Sequence, residues 1–262
     1  MASLSLATIA IALSIGVASG TIGSFVILQR LALVGDALSH VALPGIALAL
    51  AYGIDPFWGV LVFLLGASTL VWWLEQRSAV STDTIVGILF TTALAVGILT
   101  IPDTEILESL FGAFPTLTPV ALALLLIVAV SSTIATLLLT RRFLFATIAP
   151  DVARVDGIHT GTRLILLVLF AIVVALGIKL VGTLLMGALT IIPAAIARNI
   201  ARSARASLLL AAILGGVIAT GGVSIAARFA ILPGPAIILF GIACFAGSLA
   251  VRGVRGAHAR TH

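Results

Sequence analysis

The feature that most constrains this chain is a succession of long apolar stretches, separated by short connections that carry charge, proline or glycine. The stretches lie at 5–28, 37–53, 57–74, 84–101, 119–139, 164–179, 182–197, 206–222 and 233–251. A helix that crosses a bilayer needs about 20 mostly apolar residues. Charged residues make up only 9% of the chain, which excludes an ordinary soluble globule, where they make up about 25%. The sequence therefore predicts an all-α membrane bundle of about nine helices, or eight if 164–197 contains a half-span.

The distribution of cationic side chains predicts how this bundle is oriented. If successive connections alternate between the two sides of the membrane, only Lys179 and Arg228 fall on one side. The other side receives Arg30, Arg77, Arg141, Arg142, Arg154, Arg163, Arg198, Arg202, Arg205, Arg252, Arg255 and Arg260. Because cationic residues concentrate in cytoplasmic connections, we expect the N-terminus outside and the C-terminus in the cytoplasm. No cationic residue precedes Arg30, so the first stretch is expected to be a span and not a cleaved signal.

An acid and an imidazole lie close together in the second span. Asp36 and His40 are four residues apart, so on a helix they project from one face, about one turn from each other. A carboxylate and an imidazole in this arrangement can share one divalent cation. Pro44 has no N–H to offer the carbonyl of His40, which predicts a locally opened helix with a free oxygen beside the imidazole. The pattern predicts a metal contact within the membrane.

Two other interpretations of the pair stay open from the spacing alone. Asp36 could be only the N-cap of the second helix, and His40 only a buried imidazole hydrogen-bonded to a neighbouring helix. One Asp and one His are also too few for a closed zinc site, which takes about four ligands. A second copy of the chain across a two-fold axis would double the pair.

Several segments carry a resemblance to a known family. Gly23-Ser24-Phe25-Val26, followed by Arg30 and the segment 35–45, resembles the signature of the permease subunits of zinc and manganese ABC importers, most closely the zinc-uptake members. The likeness covers nearly the whole chain and continues at 73–77, 83–88, 110–112, 148–157, 181–182 and 191–198. One departure is Ala113, which stands where family members often have an acidic residue.

The resemblance implies the membrane permease subunit of an ATP-driven importer of divalent metal, with zinc as cargo and manganese or iron as alternatives. It implies a second permease copy, cytoplasmic ATPase subunits, an extracytoplasmic metal-binding protein, and the inner membrane of a prokaryotic cell. By position, Asp36 and His40 would line the metal path. The chain itself would bind no cofactor, and ATP would bind the partner. We expect a single transmembrane domain at 1–251 and a flexible basic tail at 252–262 that contacts anionic lipid.

Two connections carry further candidate residues. The cytoplasmic connection 141–163 contains a predicted short helix that begins with Pro and Asp. With the resemblance, it is expected to couple to the ATPase through Pro150, Asp151, Arg154, Asp156 and Gly157. An external connection carries three acidic residues with no base nearby, which would concentrate cations at the mouth of the path or be incidental charge on a hydrated loop. These are Asp103, Glu105 and Glu108.

Other classes of protein are disfavoured by what the sequence lacks. It contains no Gly-rich phosphate loop of the Gly-Lys-Ser/Thr kind and no nucleic-acid module, so we expect neither ATP nor nucleic acid to bind this chain by those routes. An intramembrane hydrolase using Asp36 or His40 would need a nucleophile, and Ser39 points away from His40 on a helix. A channel that works without an ATPase is the third alternative. Glu75, Arg77 and Asp83 predict an ion-pair cluster on one short turn, or a contact with the ATPase.

Overall fold

The computed structural model of the protein describes residues 5–101, 105–114, 118–148, 152 and 158–258, with backbone alone for 158–160 and 251–258. Within these residues the chain forms helices and no strands. The helices are α1 Leu6–Leu28, α2 Ala32–Ala51, α3 Pro56–Arg77, α4 Thr82–Thr100, α5 Ile106–Phe111, α6 Pro119–Leu138, α7 Thr140–Ile148, α8 Ile158–Val181, α9 Met186–Ile200, α10 Ala204–Phe229 and α11 Pro233–His258.

Local chemistry sets where these helices begin and end. Hydroxyl side chains at the N-cap accept a backbone N–H in the first turn of four helices, at Ser5, Ser81, Thr118 and Ser203. This bond satisfies one of the N–H groups that a helix start leaves free. The corner between α1 and α2 is tight: Arg30 has a φ of 59°, and the N–H of Leu31 donates to the carbonyl of Val26 at 2.7 Å. Such a left-handed cap ends a helix within two residues.

Eight of the helices are long and apolar enough to cross a membrane, and the shorter apolar helix α9 joins them. This confirms the predicted all-α membrane bundle. The stretch predicted at 182–197 is the short one: α9 has 15 residues, about 22 Å of helix against a hydrocarbon core of about 30 Å. The last helix continues to His258, beyond the boundary expected at 251, and the division into a domain and a tail stays a prediction.

The two ends of the bundle are distinguished by their charged contacts. At one end, Arg163 of α8 reaches Glu75 of α3 and Gln29 after α1, and Arg198 lines a cavity of about 280 Å³ that also includes Ser24 and Arg202. We call this the arginine end. At the other end, the acidic end, Lys179 Nζ contacts Asp55 Oδ1 at 3.1 Å, and backbone bonds join α5 to the turn after α8, as from the N–H of Thr183 to the carbonyl of Ser109.

Glycine allows α1 and α10 to cross in backbone contact. A Cβ atom added to Gly16 would overlap the carbonyl oxygen of Gly215, and one added to Gly20 would overlap that of Ala211. Small residues permit such close approach between membrane helices, where packing is the main source of association. The spacing of Gly16 and Gly20 predicts a packing face, and the structure identifies α10 as its partner.

The ion pair at the acidic end gives a pH-dependent contribution to stability. Partial burial alone would raise the pKa of Asp55, but the N–H of Phe57 and the Lys179 ammonium outweigh it and hold the pKa below its ordinary value. A carboxylate whose pKa is lowered by folding stabilises the protein above its unfolded pKa, and this stabilisation is lost as the pH falls through the folded pKa.

We therefore expect detergent-solubilised wild-type protein to unfold a few degrees above the Asp55→Asn variant at neutral pH. The difference in melting temperature should begin to shrink as the pH falls through about 4, the ordinary pKa of an aspartate. It should disappear only below the lower pKa of the folded carboxyl group, where the wild-type side chain is protonated as well. Thermal unfolding followed by circular dichroism across this range measures it. A difference that is the same at both ends of the range would contradict the assignment.

Candidate metal-translocation site

Helix α2, which carries the predicted pair, is the most buried of the eight long helices. Every residue from Ala37 to Ala47 is buried. The helix is also continuous through Pro44, so the predicted local opening of the helix is not observed. Gly97 of α4 packs at this point, because a Cβ added there would lie 3.3 Å from Pro44 Cδ. The proline still offers no N–H to the carbonyl of His40.

His40 lies inside the chain with a free ring nitrogen. Its side chain is 4% exposed, and its ring meets the ring of Phe90 edge to face, with centroids 4.8 Å apart. The buried Nδ1 atom has no hydrogen-bond partner within the part of the chain that the structure describes. A buried polar atom left without a partner costs about 1–3 kcal/mol. No hydrogen bond from a neighbouring described helix satisfies this nitrogen. In the tautomer that leaves Nδ1 unprotonated, its lone pair is suited to a cation.

Asp36 is exposed on the outer face of the chain, in the second turn of α2. The N-cap position belongs to Leu31, so the interpretation of Asp36 as an N-cap is wrong. Gly187, the second residue of α9, faces the carboxylate: a Cβ added to Gly187 would lie 3.2 Å from Asp36 Oδ1. The start of a helix carries partial positive charge, and short helices that begin beside a transport site use it to attract anionic groups.

Gly187 borders the candidate site but is not predicted from the sequence. Its position becomes meaningful only when α9 is packed against α2, some 150 residues away in the chain. The sole signal in the sequence is a glycine directly after an apolar run, in Leu184-Leu185-Met186-Gly187, which many helix contacts share. Phe90, which covers the His40 ring, was missed for the same reason.

The described part of one chain does not complete a metal site. No group of three or more His, Cys, Asp or Glu side chains lies close enough together to hold a metal ion among the described residues. Asp36 and His40 alone would supply two ligands, against the four of a closed zinc site. The exposed position of the Asp36 carboxylate leaves it accessible to a second copy of the chain.

The acidic residues of the external connection line a cavity at the acidic end. Glu105 and Glu108 border about 260 Å³ together with Lys179 and Ala113, between α3, α5 and α8. The expectation that no base lies nearby is therefore wrong, because Lys179 comes from a distant part of the sequence. Asp103 lies outside the described residues.

The predicted coupling residues Pro150, Asp151, Arg154, Asp156 and Gly157 lie outside the described residues as well. The helices on either side are described. Part of the predicted connection, up to Ile148, is the helix α7, which continues from α6 after Leu139, and α8 begins at Ile158. In the sequence, the segment 149–157 falls between α7 and α8.

Two smaller expectations are also resolved. The hydroxyl of Ser39 donates to the carbonyl of Gly35 at 2.9 Å, which leaves it poorly placed to act as the nucleophile of a hydrolase. Glu75 forms its ion pair with Arg163, whereas the guanidinium of Arg77 lies over the Trp73 ring, 5.5 Å from its centroid. No ion pair joins Glu75 to Arg77 in the described ranges, so the predicted cluster on one turn is wrong.

Comparisons with known proteins agree with this architecture. The family model described as "ABC 3 transport family" matches residues 1–252. The manganese import system permease protein ScaB of Streptococcus parasanguinis is 34% identical over 233 residues, which are 87% of this chain and 83% of that protein. The high-affinity zinc uptake system membrane protein ZnuB of Buchnera aphidicola subsp. Acyrthosiphon pisum is 31% identical over 231 residues, 84% and 87% of the two chains.

A solved structure extends the agreement to the fold. A chain of PsaBC from Streptococcus pneumoniae, solved in complex with Fab, superposes with a TM-score of 0.78 at 29% identity, covering 92% of this chain and 89% of that one. The resemblance to metal importer permeases is therefore confirmed along nearly the whole sequence. On the family model and these relatives together, the chain belongs to the ABC 3 transport family.

Proposed function

We propose that this chain is the transmembrane permease subunit of an ABC importer that moves a divalent metal ion into the cytoplasm. The observation that carries the proposal is the pair on α2: a buried imidazole with an unpartnered Nδ1, one helical turn from a carboxylate at the start of α9. Charged groups inside a membrane helix are costly, and they usually belong to the path of an ion. Relatives named as manganese and zinc permeases support the same cargo class.

Zinc is the first cargo we propose, and manganese is the alternative. An imidazole suits zinc, whereas a carboxylate oxygen is equally acceptable to manganese. Two copies of the chain would bring together two Asp36 carboxylates, each of which is exposed on its own chain. A four-ligand site would be complete once each His40, buried one turn away on α2, also faces that interface. Alternating access would then expose that site first to one side of the membrane and afterwards to the other.

The orientation and partners follow from the two ends of the bundle. We propose that the arginine end faces the cytoplasm of a prokaryotic cell, since positive residues concentrate there. There the partner ATPase would contact the segment 149–157 through Pro150, Asp151, Arg154, Asp156 and Gly157. At the acidic end, Glu105 and Glu108 would attract cations released by an extracytoplasmic metal-binding protein. The basic residues at 252–262 would contact anionic lipid.

Reconstitution tests this proposal. The permease, its ATPase and its binding protein are placed in proteoliposomes, and uptake of radiolabelled zinc and manganese is followed with and without ATP. We expect metal to accumulate only when ATP and the ATPase are both present, because this chain carries no phosphate-binding loop of its own. Flux through the permease alone would indicate a channel instead, and absence of metal flux in the complete assembly would contradict the proposal.

A further inference from the structure

The ion pair between Glu75 and Arg163 is more constrained than an ordinary surface pair. Arg163 donates from Nη2 to Glu75 Oε1 at 2.8 Å and from Nε to Oε2 at 3.3 Å. The two side chains are only 17% and 14% exposed. Exposed pairs contribute little because water competes for them, whereas a two-point contact between arginine and carboxylate fixes both partners in one geometry. The pair therefore constrains where α8 lies relative to α3.

Two more side chains extend this contact to other parts of the bundle. The hydroxyl of Thr82 donates to Glu75 Oε1 at 2.8 Å, and Arg163 Nη1 donates to Gln29 Oε1 at 3.4 Å. Thr82 is the first residue of α4, and Gln29 lies in the tight corner between α1 and α2. We call these four residues the Glu75–Arg163 latch. The latch links α8 to both corners at the arginine end, α1–α2 and α3–α4.

Helix α8 also touches α2 beside the candidate metal site. Arg163 and Phe170 are seven residues apart, so they project from the same side of α8. Phe170 is 1% exposed, and a Cβ added to Gly35 would lie 2.9 Å from its Cζ atom. The ring thus packs on the residue that precedes Asp36. A displacement at the start of α8 would be transmitted to α2 by two contacts: the bond from Arg163 to Gln29 in the α1–α2 corner, and the packing of the Phe170 ring on Gly35.

We propose that the Glu75–Arg163 latch makes α2 and α3 follow the start of α8, and thereby couples ATP hydrolysis in the partner to metal movement past Asp36 and His40. The inference rests on the proposed function. It adds that α8 is the moving link, because it begins at Ile158, directly after the proposed ATPase contact at 149–157. Glu75 and Arg163 are positioning residues, which act on the metal path through α2.

The test measures metal imported per ATP hydrolysed by the assembled transporter in proteoliposomes. Glu75→Gln keeps the side-chain volume and one acceptor but removes the charge. We expect this ratio to fall about fivefold while ATP hydrolysis stays within about twofold of wild type, an effect typical of residues that transmit coupling between sites. The double variant Glu75→Arg with Arg163→Glu reverses the pair and should recover about half of the ratio. Arg205→Gln, which removes an exposed base at the start of α10 and outside the latch, is the matched control.

The outcomes separate the latch from the proposed function. If wild-type protein imports no metal with ATP, the proposed function fails, and the latch fails with it. If wild type imports metal and Glu75→Gln keeps the wild-type ratio, the latch alone is overturned. Parallel losses of hydrolysis and uptake, with no recovery in the reversed pair, would also overturn it, because the pair would then only hold the fold together.

A conservative variant keeps the test informative if Glu75→Gln does not accumulate in the membrane. Arg163→Lys retains the positive charge but lacks the planar fork that reaches Glu75 and Gln29 together. We expect it to assemble with the ATPase and to give a ratio between those of wild type and Glu75→Gln. A wild-type ratio in Arg163→Lys, together with loss of Gln29 contact in its structure, would contradict the proposed link to the α1–α2 corner.

Discussion

Replacing Asp36 by asparagine is expected to reduce metal uptake by the assembled transporter about tenfold or more, while ATP hydrolysis by the partner continues. The amide retains the shape of the side chain, so its packing beside Gly187 is kept. What is lost is the negative charge, which attracts a divalent cation and which the start of α9 favours. Initial rates of uptake of radiolabelled zinc and manganese, with hydrolysis followed in parallel, measure the effect.

Substitutions at His40 distinguish a metal ligand from a packing residue. His40→Ala should reduce uptake of zinc and manganese alike, because it removes the ring nitrogen together with the packing on Phe90. His40→Cys supplies a small, soft ligand, which suits zinc better than manganese. We therefore expect His40→Cys to retain part of the zinc uptake and to raise the ratio of zinc to manganese uptake. A purely structural role for His40 would leave that ratio unchanged.

The matched control for Asp36 is Asp83→Asn, which removes an exposed carboxylate from the first turn of α4. Its uptake should equal that of wild type. Wild-type rates in both Asp36→Asn and His40→Ala would remove the pair from the metal path.

The sequence was sufficient to locate α2 and its pair, because both depend on local patterns. Helical periodicity alone places Asp36 and His40 on one face, and an apolar run of this length alone indicates a span. The start of α2 was predicted at 37 and is Ala32. A charged residue usually marks the edge of a span, but Asp36 lies within α2. The start of α9 packs beside it and supplies partial positive charge that suits a carboxylate.

The surroundings of the pair could not be predicted, because they depend on contacts between distant segments. Gly187 is placed beside Asp36 only by the packing of α9 on α2. Glu75 has a base two residues away in Arg77, yet its partner is Arg163, 88 residues further along the chain. Spacing along the sequence favours Arg77 as the partner of Glu75, whereas the packing of α8 against α3 brings Arg163 to it instead. The same limit explains why Lys179 was not expected among the acidic residues of the external cavity.

Replacing Gly20 by alanine is expected to destabilise the protein strongly at the α1–α10 crossing. The new Cβ would overlap the backbone carbonyl of Ala211, and a backbone atom cannot turn aside as a flexible side chain can. The helices must separate along the crossing, with loss of packing on both. Overpacking of this kind costs about 3 kcal/mol, which corresponds to roughly 10 °C in the melting temperature of a chain of this size.

Thermal unfolding of purified variants in detergent, together with the amount of folded protein in the membrane, measures this effect. Gly16→Ala should behave similarly, because its Cβ would overlap the carbonyl of Gly215 on the same crossing. Gly66→Ala in α3 is the matched control, since a Cβ there has no neighbour within 4 Å, and alanine favours a helix over glycine by about 1 kcal/mol. The control should therefore melt at or slightly above the wild-type temperature. If Gly20→Ala has the same melting temperature as the Gly66→Ala control, α1 and α10 do not cross in backbone contact. The spacing of Gly16 and Gly20 in α1 would then require another explanation.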